Sequence, residues 1–307
     1  MKILFVASYN KGYYAPFIVE QADALRALGC EVEFFGVVGK GPAGYAKNLK
    51  KLKAVIKEFG PDVVHAHYGL CGLLACLQHR VPVVTTFHGS DINEKSVLPF
   101  SRMAMRRSAH NVFVSRDNMA LSVRKKKSSL VPCGVNPDDY PVVSKARARE
   151  EMGLSPDGKY VLFAGAFDNK VKNHPLAEEA VKACEENVEL LELKGYTRHQ
   201  VALLMSAADA LLMTSFTEGS PQVIKEAMMC GLPIVSVNVG DVSERITGLE
   251  GCFIAAREPK ALAAALSGAL TFGGRTAGRE RIKSLGLFSD RIASHLLEIY
   301  NRVKRNN

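Results

Sequence analysis

Short apolar runs and amphipathic stretches of helical length alternate along nearly the whole chain. "KILFVA" leads to an amphipathic stretch at 16–28, and "EVEFFGVV" leads to "YAKNLKKLKAVIKEFG". "PDVVHAH" is followed by "GLLACLQHR", and "VPVVTTF" by the polar loop "HGSDINEKS". Apolar runs this short, rich in Val and Phe and set between helices, predict parallel β-α-β units whose strands are buried on both faces. The alternation breaks at 132–144, "PCGVNPDDYPVVS", where three prolines and no periodicity predict a linker. It then restarts. "YVLFAGAF" precedes a helix at 174–185, "VELLEL" one at 198–207, "ADALLMTS" one at 220–230, and "LPIVSVN" one at 241–247. The pattern predicts an α/β chain of two Rossmann-like doubly wound domains, 1–140 and 141–307, facing a central cleft. A last amphipathic helix, about 288–304, is expected to pack back on the first domain. Ligands of such sheets bind at the carboxyl ends of the strands.

Composition narrows this picture. A chain of 307 residues suits two domains better than one, and a mean hydropathy near zero describes a globular protein. No apolar stretch approaches the length that crosses a bilayer, and "MKILFV" reads as a first strand rather than a signal peptide. Seven scattered cysteines without a C-x-x-C pair are expected to be reduced thiols, in keeping with a cytoplasmic location. The net charge of +9 is uneven. Residues 1–150 carry 22 Lys and Arg against 12 Asp and Glu, whereas 151–307 carry 18 against 19. The excess gathers in "SRMAMRRSAH" and in "RKKK" at 124–127. A solvated charged face is the commoner reading of runs this short, but Phe100, Met103 and Met105 beside those arginines make a peripheral contact with a membrane surface the expected alternative, ahead of nucleic acid. No basic platform interleaved with aromatics is present, so nucleic acid is not an expected partner.

The most informative stretch is "TSFTEGSPQVIKEAMMCGLPIVSVNVGD" at 214–241. Ser220 is a good N-cap and Pro221 suits a first helical position, so a helix is expected to start there. The first-turn amides of such a helix, Gln222 and Val223 among them, make an anion site that fits a diphosphate. Glu226, further into the helix, is placed to accept hydrogen bonds from the two hydroxyls of a ribose. Glu218, in the loop on the other side of Gly219 and Ser220, is placed to do the same for a second sugar. A phosphate cradle between two readers of vicinal hydroxyls suits a nucleotide sugar. On spacing alone, a capped helix with one exposed and one partly paired acid is the better reading of the pair.

The whole segment resembles the E-x7-E signature of glycosyltransferase family 4, with Glu218, Glu226, Ala227, Met228, Gly231 and Pro233 at matching positions. The similarity extends to "MKILFVAS", "PDVVHAH", "VVTTFHGSD", "VPCGVNPDDY", "YVLFAGAFDNKVKN" and "LELKGYTRHQVALLMSAADALLMTS", and so covers most of the chain. Its nearest likeness is to bacterial enzymes of surface-polysaccharide assembly. The resemblance implies the GT-B fold and a retaining transfer of sugar from a UDP- or GDP-sugar to a glycan or lipid-linked glycan acceptor. It implies that His88 bonds a donor-sugar hydroxyl, relayed by Asp91, and that Lys172 holds the donor phosphates, with Lys170 a competing choice. Gly165 belongs to the phosphate-binding strand, and Tyr196 to the base-binding segment, where it is placed to stack on the donor base. Gly12 lies in the loop that approaches donor and acceptor. In one respect the chain departs from the family. An Arg normally follows the glycine of the phosphate strand, and here Ala166 follows Gly165, leaving Arg116 and Lys225 as candidate substitutes.

Other signals carry less. Gly39-x-Gly41-x-x-Gly44 imitates a dinucleotide fingerprint but follows the second strand, so a flexible rim with Gly41 on the acceptor side is the better reading. His65 and His67 share one strand face without further ligands at metal spacing. No Asp-x-Asp occurs, so neither metal nor other cofactor is expected, and the nucleotide sugar is the co-substrate. A chain that binds a nucleotide sugar or glycan without turnover is the alternative, supported by Ala166. An NAD(P) oxidoreductase is a third reading and rests on the misplaced glycines alone.

Overall fold

The computed structural model describes residues 1–306 and divides into two compact units. The first comprises Met1–Gly134 with the chain from Leu287 on, and the second Val135–Gly286. In the first unit, β1 (Lys2–Ser8), β2 (Glu31–Val37), β3 (Val63–His67), β4 (Val83–Phe87), β5 (His110–Phe113) and β6 (Ser128–Leu130) form one parallel sheet in the order β2-β1-β3-β4-β5-β6. In the second, β7 (Tyr160–Phe163), β8 (Glu189–Leu191), β9 (Ala210–Met213), β10 (Ile234–Val237) and β11 (Cys252–Ala255) are also parallel, in the order β11-β10-β9-β7-β8. Each sheet therefore reverses its winding once, between β1 and β3 and between β7 and β9. Loops leaving the carboxyl ends of those paired strands diverge and leave a crevice, the usual ligand position in open α/β sheets.

The strands are apolar on both faces because helices cover both. All residues of β3, β4, β7, β9 and β10 are buried. Leu4, Val6, Val64 and Ala66 pack with Leu52, Ile56, Phe59 and Leu74 from the covering helices Leu49–Phe59 and Gly69–Cys76. Each of the larger of these side chains, fully buried, contributes about 1.5–3 kcal/mol. The stretch expected as a single helix from Tyr45 is two, Gly41–Ala46 and Leu49–Phe59, because Asn48 Nδ2 donates to the carbonyls of Val38, Gly44 and Tyr45 and turns the chain.

The division between the units falls inside the proline-rich stretch. Arg198 Nη1 bonds the Asp139 carboxylate at 2.6 Å, and Arg279 donates to the Tyr140 carbonyl, so this part of the stretch is fixed to the second unit. The helix Ser289–Arg305 belongs to the first unit. It buries Ile292, Ala293, Leu296, Ile299, Tyr300 and Val303, one stripe at helical spacing, and Lys304 pairs with Asp62 at 2.7 Å. Among the described residues no helix is long and apolar enough to cross a membrane.

Candidate functional site

In the second unit, the crevice between β7 and β9 gathers the residues around the two glutamates. Beyond β7, Gly165 opens a turn that ends in the short helix Lys170–Lys172 and Asn173, whose backbone is left-handed (φ +56°). The turn is tied to the end of β9. Thr214 Oγ1 donates to the carbonyls of Lys172 (2.8 Å) and Asn173 (3.0 Å), and the Phe216 amide donates to the Val171 carbonyl at 2.9 Å. This double staple brings Lys172 Nζ to 2.7 Å from Glu218 Oε1, with the two side chains 20% and 16% exposed. Lys170 is exposed on the outside of the turn, so geometry selects Lys172 for this site. Gly165 is required here: a Cβ on it would lie 2.9 Å from Cγ of Lys172, whose stem runs across the glycine.

The loop carrying Glu218 is held from the other side. Gly240 (φ +56°) packs so closely that a Cβ would lie 2.7 Å from the Gly219 carbonyl. The expected N-cap is not formed. Pro221 occupies the cap position, the helix runs Gln222–Met229, and the Ser220 hydroxyl donates instead to Asp241 Oδ2 at 2.7 Å. Asp241, buried and chelated by Arg245 at 2.7 and 3.0 Å, outcompetes the local amide. The helix start still lies directly after Glu218-Gly219-Ser220, and helix geometry gives its first-turn amides, including Gln222 and Val223, no intrahelical carbonyl. Glu226 lies one turn further on and is half-buried.

Of the two candidate cations for the position of Ala166, Lys225 is fully buried and donates to Gln222 Oε1 at 3.1 Å. Buried in this way, it is not a second exposed cation at the site. Arg116 is exposed at the start of the helix Arg116–Ala120 in the first unit. Tyr196 follows Gly195 (φ +80°) and is 42% exposed, in a loop pinned by Lys194–Asp168 (2.6 Å) and by the capping box of Thr197 and Gln200.

The first unit has its own crevice. A cavity of about 520 Å³ at the carboxyl ends of β1 and β3 is lined by Asn10, Lys11, Tyr13, Tyr68, Asp91 and Glu94 among others, and Gly12 (φ +77°) turns the loop on its rim. Asp91 does not relay to the His88 ring. Its buried carboxylate accepts backbone amides from Gly69 (2.8 Å), His88 (3.0 Å) and Gly89 (3.1 Å), so it shapes the "HGSD" loop into the short helix Ser90–Asn93. Burial pushes its pKa up to about 6, against the opposing pull of those amides. The His88 ring instead meets His67: His88 Nε2 lies 3.1 Å from His67 Nδ1, and Cys133 Sγ lies 3.9 Å from His88 Nδ1. His65 is bonded to Thr86 Oγ1 (2.7 Å) and to the Tyr300 hydroxyl (2.6 Å). The nitrogens of His65 are thus spent on neighbours, and among the described residues no group of three or more His, Cys, Asp or Glu is placed to hold a metal ion. Sequence reasoning missed Cys133, Thr214 and Asp241 and the contact of His67 with His88; the bonds that tie these residues to the site reach across more than twenty residues of chain.

Gly41 (φ +61°) opens the helix Gly41–Ala46 and does not itself line that cavity, although Tyr45 of the same helix does. The glycines around it close a turn: Gly39 packs against the Gly44 backbone and exchanges hydrogen bonds of 2.8 and 2.9 Å with the Asn10 side chain.

Comparison with known proteins agrees with this fold. Residues 35–139 match the model of Glycosyltransferase Family 4, and residues 161–271 that of Glycosyl transferases group 1. The chain is 26% identical to a putative teichuronic acid biosynthesis glycosyltransferase of Bacillus subtilis, over 71% of this chain and 63% of that relative. It is also 26% identical to an amylovoran biosynthesis glycosyltransferase of Erwinia amylovora, over 68% of this chain and 61% of the relative. The chain thus spans less than two thirds of the length of both relatives. Among solved structures, sucrose-phosphate synthase from Thermosynechococcus elongatus superposes with a TM-score of 0.82 at 18% identity, each chain fully covered. An Anabaena protein solved in complex with UDP gives 0.76 at 17% identity, covering 98% of this chain and all of that one. With two family models spanning most of its length and two parallel doubly wound sheets of this topology, the chain belongs to glycosyltransferase family 4 and has the GT-B fold.

Proposed function

We propose that this chain is a retaining glycosyltransferase that moves a sugar from a nucleoside-diphosphate sugar to a glycan or lipid-linked glycan of the cell surface. The observation that carries the proposal is the Lys172–Glu218 pair at 2.7 Å, set against the start of the helix Gln222–Met229 at the β7–β9 switch point. A diphosphate at that helix start competes with Glu218 for the ammonium, freeing the carboxylate to accept sugar hydroxyls. Lys172 and the first-turn amides then neutralise the charge that grows on the leaving phosphate, where electrostatic stabilisation gains most rate. In this reading the departing phosphate oxygen takes the proton of the acceptor hydroxyl, which attacks from the same face. Glu218 positions the sugar and is not the nucleophile. Glu226 holds the ribose hydroxyls, Tyr196 stacks on the base, and His88 bonds a donor hydroxyl. The chemistry needs no metal, so activity is expected to survive a chelator.

A lipid-linked acceptor would be reached through the first unit, at the membrane face of the cytoplasm. Support comes from exposed Met103, Leu121 and Val123 interleaved with the exposed cations Arg102, Arg106, Arg107 and Lys125 to Lys127. Flotation with anionic vesicles, lost when Lys125, Lys126 and Lys127 become Ala, tests that part. The transfer itself is tested by nucleoside-diphosphate release from UDP-, GDP- and ADP-sugars, with Glu226→Ala alongside. Release from one donor, lost in the variant, is expected. Stabilisation by a donor without release under any acceptor would favour the non-catalytic reading that Ala166 supports.

A further inference from the structure

The buried histidines beneath His88 have no place in the scheme above, yet their geometry is restrictive. His65 and His67 lie on one face of β3 with ring centroids 4.4 Å apart, and both are completely buried. Phe5 covers both rings at about the same distance, 4.9 and 5.0 Å. Burial among apolar groups holds both imidazoles neutral, His65 with its pKa lowered to about 3 and His67 well below its ordinary value. A neutral imidazole carries one proton, and the hydrogen bond at one nitrogen decides what the other nitrogen offers.

For His67 the choice is constrained. Its Nε2 is sealed from solvent with no hydrogen-bond partner, and its Nδ1 faces His88 Nε2 at 3.1 Å. A proton on Nε2 would be an orphaned buried N–H, the rarer and costlier defect. A proton on Nδ1 is used at once. We propose that His67 is a positioning residue: its Nδ1–H donates to His88 Nε2, which fixes the His88 ring as its Nδ1–H form, and that N–H, directed in this structure at the weak acceptor Cys133 Sγ 3.9 Å away, is the group a ligand oxygen would take over. The ring is also held in orientation, stacked on His67 at 5.4 Å and flanked by Phe17 (4.9 Å) and Tyr68 (4.6 Å). His88 then acts as a donor to a substrate oxygen, rather than as an acceptor. The consequence for turnover rests on the transferase reading; the placement of the proton does not.

The test is long-range proton–nitrogen NMR of the ¹⁵N-histidine-labelled full chain, with the His88 signals identified by their loss in His88→Gln. The wild type is expected to show His88 protonated at Nδ1 and accepting at Nε2. His67→Phe keeps a ring against Phe5 but removes both nitrogens, so His88 should become a mixture of tautomers. In that variant kcat should fall on the order of tenfold, the scale of one well-placed hydrogen bond, with donor KM unchanged. His67→Asn, whose amide reaches the Nδ1 position, should restore most of the loss. A wild-type His88 protonated at Nε2 overturns the proposal, as does a His67→Phe enzyme with unchanged tautomer and unchanged kcat. If no donor turns over at all, the transferase reading falls and the spectra still decide the proton placement.

Discussion

The two crevices of this molecule handle polar groups in opposite ways. In the second unit, Lys172 and Glu218 pair across a crevice, each partly exposed, with the Lys172 turn held by staples to Thr214 and Phe216. In the first unit, His65, His67 and Asp91 are sealed among Phe5, Thr86 and backbone amides, and burial drives each toward its neutral form. A leaving diphosphate needs mobile, solvated charge that can change partners. A sugar hydroxyl needs a neutral donor of fixed direction. On the proposed function, this difference gives the electrostatic work to the second unit and orientation to the first.

Several changes would break or sharpen that contrast. The largest effect is expected from Lys172→Ala, which should lower kcat by about two orders of magnitude in nucleoside-diphosphate release assays. A loss below fivefold would move the leaving-group work elsewhere, to buried Lys225 first. Gly165→Ala comes next. The added methyl meets Cγ of Lys172 at 2.9 Å, so the lysine must shift, and roughly tenfold should be lost with folding largely retained. Full activity in that variant would mean that the lysine stem does not depend on the glycine. Tyr196→Ala should raise donor KM about threefold to tenfold without altering kcat, as expected for one lost base stack.

The smallest change is one of stability. Asp91 has a folded pKa raised from 3.8 to about 6, so the folded state holds its proton where the unfolded chain has released it. That contribution is complete below about pH 4 and is lost as the pH rises to about 6. The Tm of the wild type relative to Asp91→Asn should therefore fall across this window, by thermal unfolding at stepped pH. A difference independent of pH would mean that the three amides hold Asp91 ionised throughout.

Much of this frame was legible in the sequence because parallel strands buried on both faces leave unbroken apolar runs, as in "VPVVTTF" and "ADALLMTS". The glutamate loop was legible as a motif. What remained hidden was contact between distant segments. The Lys172–Glu218 pair joins residues 46 apart because β9 returns beside β7 after β8 has been placed on the outer edge. The His67–His88 contact follows from the register of β3 and β4, in which His67 faces Thr86 and the chain continues two residues to His88. Ser220 was misread for the same reason: a local capping rule cannot anticipate Asp241, which arrives from the loop after β10. Asp91 likewise looks like a relay beside His88 in sequence, yet its oxygens are taken by the backbone.

The most direct test of the division of labour is calorimetric binding of UDP, GDP and ADP to the wild type, Lys172→Ala and His88→Ala, set beside their turnover. The account predicts that one nucleotide binds, that Lys172→Ala weakens it by about tenfold or more, and that His88→Ala leaves its affinity unchanged while slowing transfer. Nucleotide affinity that depends on His88 and ignores Lys172 would contradict it.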